Sequence, residues 1–164
     1  MHSAEIWHPE TGLWTGVASN AVTRIYHGAT LLLPDGRVLF TGSGDASGLK
    51  DEKNYELYSP PYLFKGPRPT IVGTLPPHVT YGQTLKVESP EGFTIGKVNL
   101  IRFSSVTHAF DQSARLVPLT FVPGGRGVTV TFPTSRSAAP PGPYMLFLVN
   151  ADGVPSEARI VLLR

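Results

Sequence analysis

Between Arg24 and Phe40 the chain reads RIYHGATLLLPDGRVLF, and its second half has the pattern of a β-hairpin. Leu31–Leu33 and Val38–Phe40 are apolar arms, Pro34 and Asp35 start the turn, and Gly36 is free to take positive φ. With polar side chains just ahead of its first strand, such a hairpin lets a rigid sheet present chemistry at its rim. The punctuation of the rest favours more strands. Glycine (17) and proline (16) make up one residue in five of the 164, spread rather than clustered, which suits many short strands and argues against long helices. The best helix candidate, Asp51–Tyr58, is short and lacks a clear apolar stripe. The expected class is all-β.

A weak internal repeat organises the first third. AEIWHPETGLW, from Ala4, is echoed by YELYSPPYLF, from Tyr55, with Glu5 over Glu56, Ile6 over Leu57, Trp7 over Tyr58 and Pro9 over Pro60. A spacing near 50 residues with a four-strand unit between its marks is the period of a kelch-type propeller blade. The hairpin and a Gly-rich turn, TGSGD at Thr41–Asp45, lie between the marks. A blade buries its faces against its neighbours, so further blades are expected, upstream in a longer protein or from a partner chain. KGPRP at Lys65–Pro69 is a charged, Pro-broken joint that divides a terminal kelch-like blade, 1–64, from a second domain, 65–164.

That second domain offers seven strand-like runs: Thr70–Gly73, Thr84–Glu88, Lys97–Phe103, Arg115–Phe121, Val128–Phe132, Pro143–Asn150 and Ala158–Leu163. About seven short strands in about 100 residues is the signature of an immunoglobulin-like sandwich, here without the Cys…Trp…Cys pattern. Most turns are short. The exception is Ser104–Ala114, SSVTHAFDQSA, a polar connection of the kind that carries function on a rigid scaffold.

Composition removes several function classes. The formal charge is only +2, and no Lys/Arg run interleaves with aromatics, so nucleic-acid binding has no support. No apolar stretch is long enough to span a bilayer. The segment after Met1 has no apolar core of the signal-peptide type. With no cysteine, the chain can form no disulfide, iron–sulfur cluster or thiolate metal site of its own.

Five histidines are the main candidates for chemistry. His2 lies at a terminus, His8 beside Pro9 in an expected turn, and His78 after Pro76–Pro77 in an expected loop; all three read as solvated. His27, preceded by Tyr26, and His108 stand in more pointed settings. Taken singly, each is more often a hydrogen-bonded structural histidine than a ligand, and Tyr26 alone reads as a core tyrosine. Together, two imidazoles and a phenolate suit Cu(II) in a tetragonal N,O site better than zinc. Neighbours on a regular strand point to opposite faces, so Tyr26 and His27 can share a metal only at a strand end or on an irregular stretch.

Three blocks carry a resemblance: RIYHGATLLLPDGRVL, VTHAFDQSARLVPL and the closing PPGPYMLFLVNADGVPSEA. In this order they resemble the C-terminal portion of the copper radical oxidases, the galactose oxidase and glyoxal oxidase family, covering the last kelch blade and the appended early-set sandwich. The resemblance implies that Tyr26 is the axial tyrosine and the base for the substrate hydroxyl proton. It implies that His27 and His108 are the equatorial copper ligands. The family's radical tyrosine and the cysteine bonded to it lie in earlier blades, so this chain lacks the Cys–Tyr radical cofactor and by itself is expected to be inactive. The implied activity is oxidation of primary alcohols or aldehydes by dioxygen, giving hydrogen peroxide. Implied partners are the remaining propeller blades and a small alcohol, aldehyde or carbohydrate substrate, and the implied location is extracellular or the cell envelope. The alternative is a non-catalytic carbohydrate-binding or structural early-set module, in which exposed Tyr81 or Tyr144 would matter more than His108.

Overall fold

A computed structural model describes residues 3–44, 48, 50–108 and 110–164; His2 and Asp45, both read above, lie outside them. The strands, in chain order, are β1 (Ala4–His8), β2 (Leu13–Val17), β3 (Gly28–Leu32), β4 (Val38–Gly42), β5 (Tyr55–Tyr58), β6 (His78–Val79), β7 (Thr84–Glu88), β8 (Ile95–Arg102), β9 (Val106–Thr107), β10 (Phe110–Asp111), β11 (Leu116–Gly124), β12 (Gly127–Thr131), β13 (Gly142–Asn150) and β14 (Arg159–Leu163). Helical structure among the described residues is limited to two 3-10 turns, Pro61–Phe64 and Gly92–Thr94. The protein is all-β.

Seven strands form one curled sheet in the order β6-β14-β13-β8-β11-β12-β7. Strand β11 turns the corner: Leu116–Leu119 pair with β8, while Thr120–Gly124 pair with β12. One long strand thus serves both layers of an immunoglobulin-like sandwich. The sequence explains the layers. On β12, buried Val128 and Val130 alternate with exposed Thr129 and Thr131, a half-buried strand. On β13, Tyr144 to Leu148 are all buried, because both faces are covered. Tyr144, Leu146 and Leu148 join Val87, Leu100, Val130 and Leu163 in the sandwich core. Phe147 points the other way, lining with Leu32, Tyr62 and Pro155 an apolar cavity of about 170 Å³ against the β3–β4 hairpin.

That hairpin is the seat of the first segment on the sandwich. Its register pairs Leu31 with Leu39 and Leu32 with Val38, and Gly36 closes the turn at φ +83. The tip is tied down by the Ala158 N–H to the Pro34 carbonyl (2.8 Å) and by the Tyr62 hydroxyl to the Gly36 carbonyl (2.5 Å). Arg68 in the joint donates to the carbonyls of Pro155 (2.9 Å) and Ser156 (2.8 Å).

Several local expectations are corrected. Thr70–Gly73 is not a strand: Pro69 precedes it, Gly73 turns at φ +71, and it is held by single bonds, Val72 N–H to Glu88 and Arg159 to the Ile71 carbonyl. The seventh strand is instead β6, a parallel partner of β14, so His78 lies on a strand rather than in a loop. His8 likewise ends β1 rather than sitting in a turn. Asp51–Tyr58 contains strand β5, with Leu57 opposite Leu39. The first segment holds five strands in two sheets, a β1–β2 hairpin and the three-stranded β3-β4-β5.

Candidate metal centre

Tyr26 and His27 occupy an irregular turn immediately before β3. The turn is closed by the Gly28 N–H donating to the Ile25 carbonyl (3.3 Å). His27, its third residue, takes φ +57, the positive value a turn of the type II class requires there. Two contacts stitch the turn to the end of β4: the Ile25 N–H donates to Ser43 Oγ (3.1 Å), and the Gly44 N–H donates to the Tyr26 carbonyl (3.1 Å). Just before them Gly42, at φ +78, comes so close that a Cβ there would lie 2.4 Å from the His27 carbonyl oxygen. The Tyr26 ring lies beside the His27 ring, centroids 3.9 Å apart and planes inclined by 33°. The change from strand to turn is what lets two adjacent rings lie side by side.

His108 comes from the sandwich. The segment expected to be a plain loop contains a two-stranded hairpin, β9–β10, with Thr107 opposite Phe110. His108 leaves β9 at φ +52, the sign that tight hairpin connections demand. Asp111 braces the base of this hairpin, its Oδ1 accepting the N–H groups of Ser105 and Ser113 at 2.9 Å each. Burial alone would raise the Asp111 carboxyl. The backbone donors Ser105 and Ser113 and the Ser104 side chain outweigh it, leaving the group below its ordinary value of 3.8.

The two elements meet at their histidines. His27 Nε2 and His108 Nε2 are 3.1 Å apart, with ring planes at 72°. The Tyr26 ring faces His108 edge-on at 5.8 Å between centroids. Two nitrogens bound to one ion at about 2.0–2.1 Å and at a right angle lie about 2.9 Å apart, so the pair fits adjacent positions on a single metal. The His108 Nδ1 is 2.7 Å from Thr107 Oγ1. If Nδ1 carries the proton and donates it to that hydroxyl, the Nε2 lone pair is free for a metal, the usual role of a partner behind a ligating histidine. Tyr26 and His108 are exposed and His27 is half-buried, so the site is open on one side.

The structure thus brings together Tyr26, His27 and His108. His8 does not join them, its Nε2 pairing with Thr15 Oγ1 at 3.0 Å, and His78 sits on edge strand β6. No group of three or more His, Cys, Asp or Glu side chains gathers among the described residues, as expected of two histidines and a phenol. Neither tyrosine of the alternative reading stands fully exposed. Tyr144 is buried with its hydroxyl on the Pro140 carbonyl (2.7 Å), and half-buried Tyr81 donates to the Ala139 carbonyl (2.7 Å). Sequence reading missed Thr107, Asp111 and Gly42. A threonine next to a histidine and a glycine in a Gly-rich turn were the available signals.

Comparisons with known proteins show the family. The family model for the galactose oxidase-like early-set domain matches residues 68–163. A galactose oxidase of Gibberella zeae is 33% identical over 98% of this chain, and an aldehyde oxidase GLOX of Vitis pseudoreticulata is 37% identical over 87% of it. The chain spans 24% of the first protein's length and 30% of the second's. Among solved structures, a fungal alcohol oxidase of the AA5 family in complex with copper superposes with a TM-score of 0.90 at 28% identity, covering 99% of this chain and 36% of that one. The chain belongs to the galactose oxidase-like early-set family.

Proposed function

We propose that this chain supplies half of a mononuclear copper centre in a radical oxidase of primary alcohols or aldehydes, with Tyr26, His27 and His108 as ligands. The observation that carries the reading is the 3.1 Å separation of two Nε2 atoms that lie 81 positions apart in the sequence. The copper complex of the AA5 relative supports it. Bound copper supplies a Lewis acid for the substrate oxygen and an acceptor for one electron.

The chain's own residues do the rest. The two left-handed histidines bring their Nε2 atoms within hydrogen-bond distance without a metal, so copper would displace the one proton between them with little backbone reorganisation. Thr107 keeps the His108 proton on Nδ1. Tyr26, as a phenolate, accepts the substrate hydroxyl proton at its phenolic oxygen. In this proposal residues 1–64 are the terminal part of a kelch-type propeller and 65–164 the early-set domain. Further blades bring the substrate pocket and the Cys–Tyr radical partner, since none of these 164 residues is a cysteine. The whole enzyme would then be extracellular or in the cell envelope, with hydrogen peroxide as co-product. Among the described residues no helix is long and apolar enough to cross a membrane.

The test is a Cu(II) titration of the chain beside His27→Ala and His108→Ala. Each substitution should weaken binding by at least about tenfold, as expected for loss of one ligand of a tight site. Equal, weak binding by all three proteins would overturn the assignment.

A further inference from the structure

Among the described residues Arg24 is the one buried charged side chain, with no exposed side-chain area, and nothing in the proposed chemistry uses it. We propose that Arg24 is a positioning residue that sets the left-handed backbone of His27 through Gly42, and so aims the His27 Nε2. The inference rests on the copper reading above.

The guanidinium is held at several points by the strands behind the turn. Its Nη1 donates to the Gly42 carbonyl (2.9 Å), its Nε to Glu56 Oε2 (3.4 Å) and its Nη2 to Asn54 Oδ1. Its carbon lies 5.4 Å from the centroid of Phe40. A planar fork with fixed donors suits this arrangement, and a lysine ammonium would reach only part of it. Glu56 extends the clamp, its Oε1 accepting the Ala21 N–H (2.6 Å). Arg24 and Glu56 therefore fasten the approach to the turn onto β4 and β5. Gly42 is the link, because a Cβ built on it would lie 2.4 Å from the His27 carbonyl oxygen, so only glycine lets the two backbones approach this closely.

Packing does not do this work. Between the turn and the β9–β10 hairpin lies a cavity of about 220 Å³ lined by Arg24, Ile25, Gly28, Phe40, Val106 and Asp111. The turn is loosely packed on the side of the partner histidine, so its conformation rests on hydrogen bonds: those of Ser43 and Gly44 to the turn itself, and that of Arg24 to the Gly42 carbonyl behind it. A left-handed histidine is costly unless its surroundings over-determine it.

The experiment compares the chain with Arg24→Met, Arg24→Lys and Glu56→Gln. In the metal-free protein, amide exchange at Ile25, Gly28 and Gly44 should speed up at least tenfold in Arg24→Met and less in Arg24→Lys. Exchange at Leu148 in the sandwich and at Gln112 below His108 should not change. The Cu(II) Kd of Arg24→Met should rise about tenfold, the low end for residues behind a metal ligand, with an altered EPR spectrum of the bound ion. Unchanged exchange at the three turn amides overturns the proposal, whatever the copper affinity. If Arg24→Met loses the β3-β4-β5 sheet altogether, Glu56→Gln decides: faster turn exchange supports the clamp and unchanged exchange overturns it. The exchange readout needs no copper. Should His27→Ala bind copper like the parent chain, the copper reading fails while the Arg24 result stands on its own.

Discussion

His27 and His108 reach one another in the same unusual backbone conformation, φ +57 and φ +52, one from the turn before a blade-like sheet and the other from a sandwich hairpin. Left-handed backbone is uncommon outside glycine, and histidine is among the few residues that tolerate it. Two such residues meet here at 3.1 Å, and it is on this contact that the copper proposal rests.

The close approach of Gly42 to His27 gives the first prediction. Gly42→Ala places a methyl against the His27 carbonyl at a position whose φ is +78. The change should cost more than about 1 kcal/mol in a urea melt, because alanine is strained at positive φ, and copper affinity should fall with it. A variant as stable and as tight as the parent would show that the contact does not govern the turn.

Thr107 tests the hydrogen bond behind His108. Thr107→Val keeps the shape and removes the oxygen 2.7 Å from Nδ1. Cu(II) binding should weaken by about 10–100-fold, with melting unchanged because the side chain is exposed. Calorimetric titration and thermal melts separate the two effects.

Asp111 sets an acid limit on the His108 hairpin. Its carboxyl is held below the ordinary 3.8 in the folded chain, so its bracing is fully present above that value and disappears as pH falls through the lower, folded one. Amide exchange, corrected for the intrinsic pH dependence, should show Ser105 and Ser113 constant from neutral pH down to about 5 and loosened only in stronger acid. Asp111→Ala should show the loosened state at neutral pH. Loosening of the parent hairpin near pH 6 would contradict this.

The β1–β2 hairpin should make the chain self-associate. Trp7 and Trp14 face each other across the register with centroids 6.4 Å apart, yet both are exposed, as is Leu13. A two-stranded hairpin is marginal alone and an exposed apolar face invites a cover. Light scattering should show mass rising with concentration, and Trp7→Lys/Trp14→Lys should reduce it.

Much of this was legible in the sequence where side-chain chemistry dictates local geometry. Pro34-Asp35-Gly36 announced its turn, and Thr84–Glu88 was read with the bounds it has. The run Val128–Phe132 was read as a strand and lies one residue from the bounds of β12, Gly127–Thr131. What escaped was set by tertiary context. Thr70–Gly73 has strand-like residues, yet between Pro69 and the turn at Gly73 it makes only one backbone bond to the β7 edge, whereas His78–Val79, behind two prolines, pairs with β14. Tyr144 was read as a surface aromatic because nothing local says that both faces of β13 are covered. At the site, the three ligand candidates stood out by residue type and by resemblance. Their supports did not, since Gly42 and Arg24 act through backbone approach and buried hydrogen bonds that no spacing reveals.

The most direct measurement is the EPR spectrum of the Cu(II)-loaded chain, read for nitrogen superhyperfine structure. The account predicts two equivalent-strength nitrogen donors, falling to one in His27→Ala and to one in His108→Ala. A parent spectrum without two nitrogens, or one that neither substitution alters, would contradict the claim that these imidazoles share a metal.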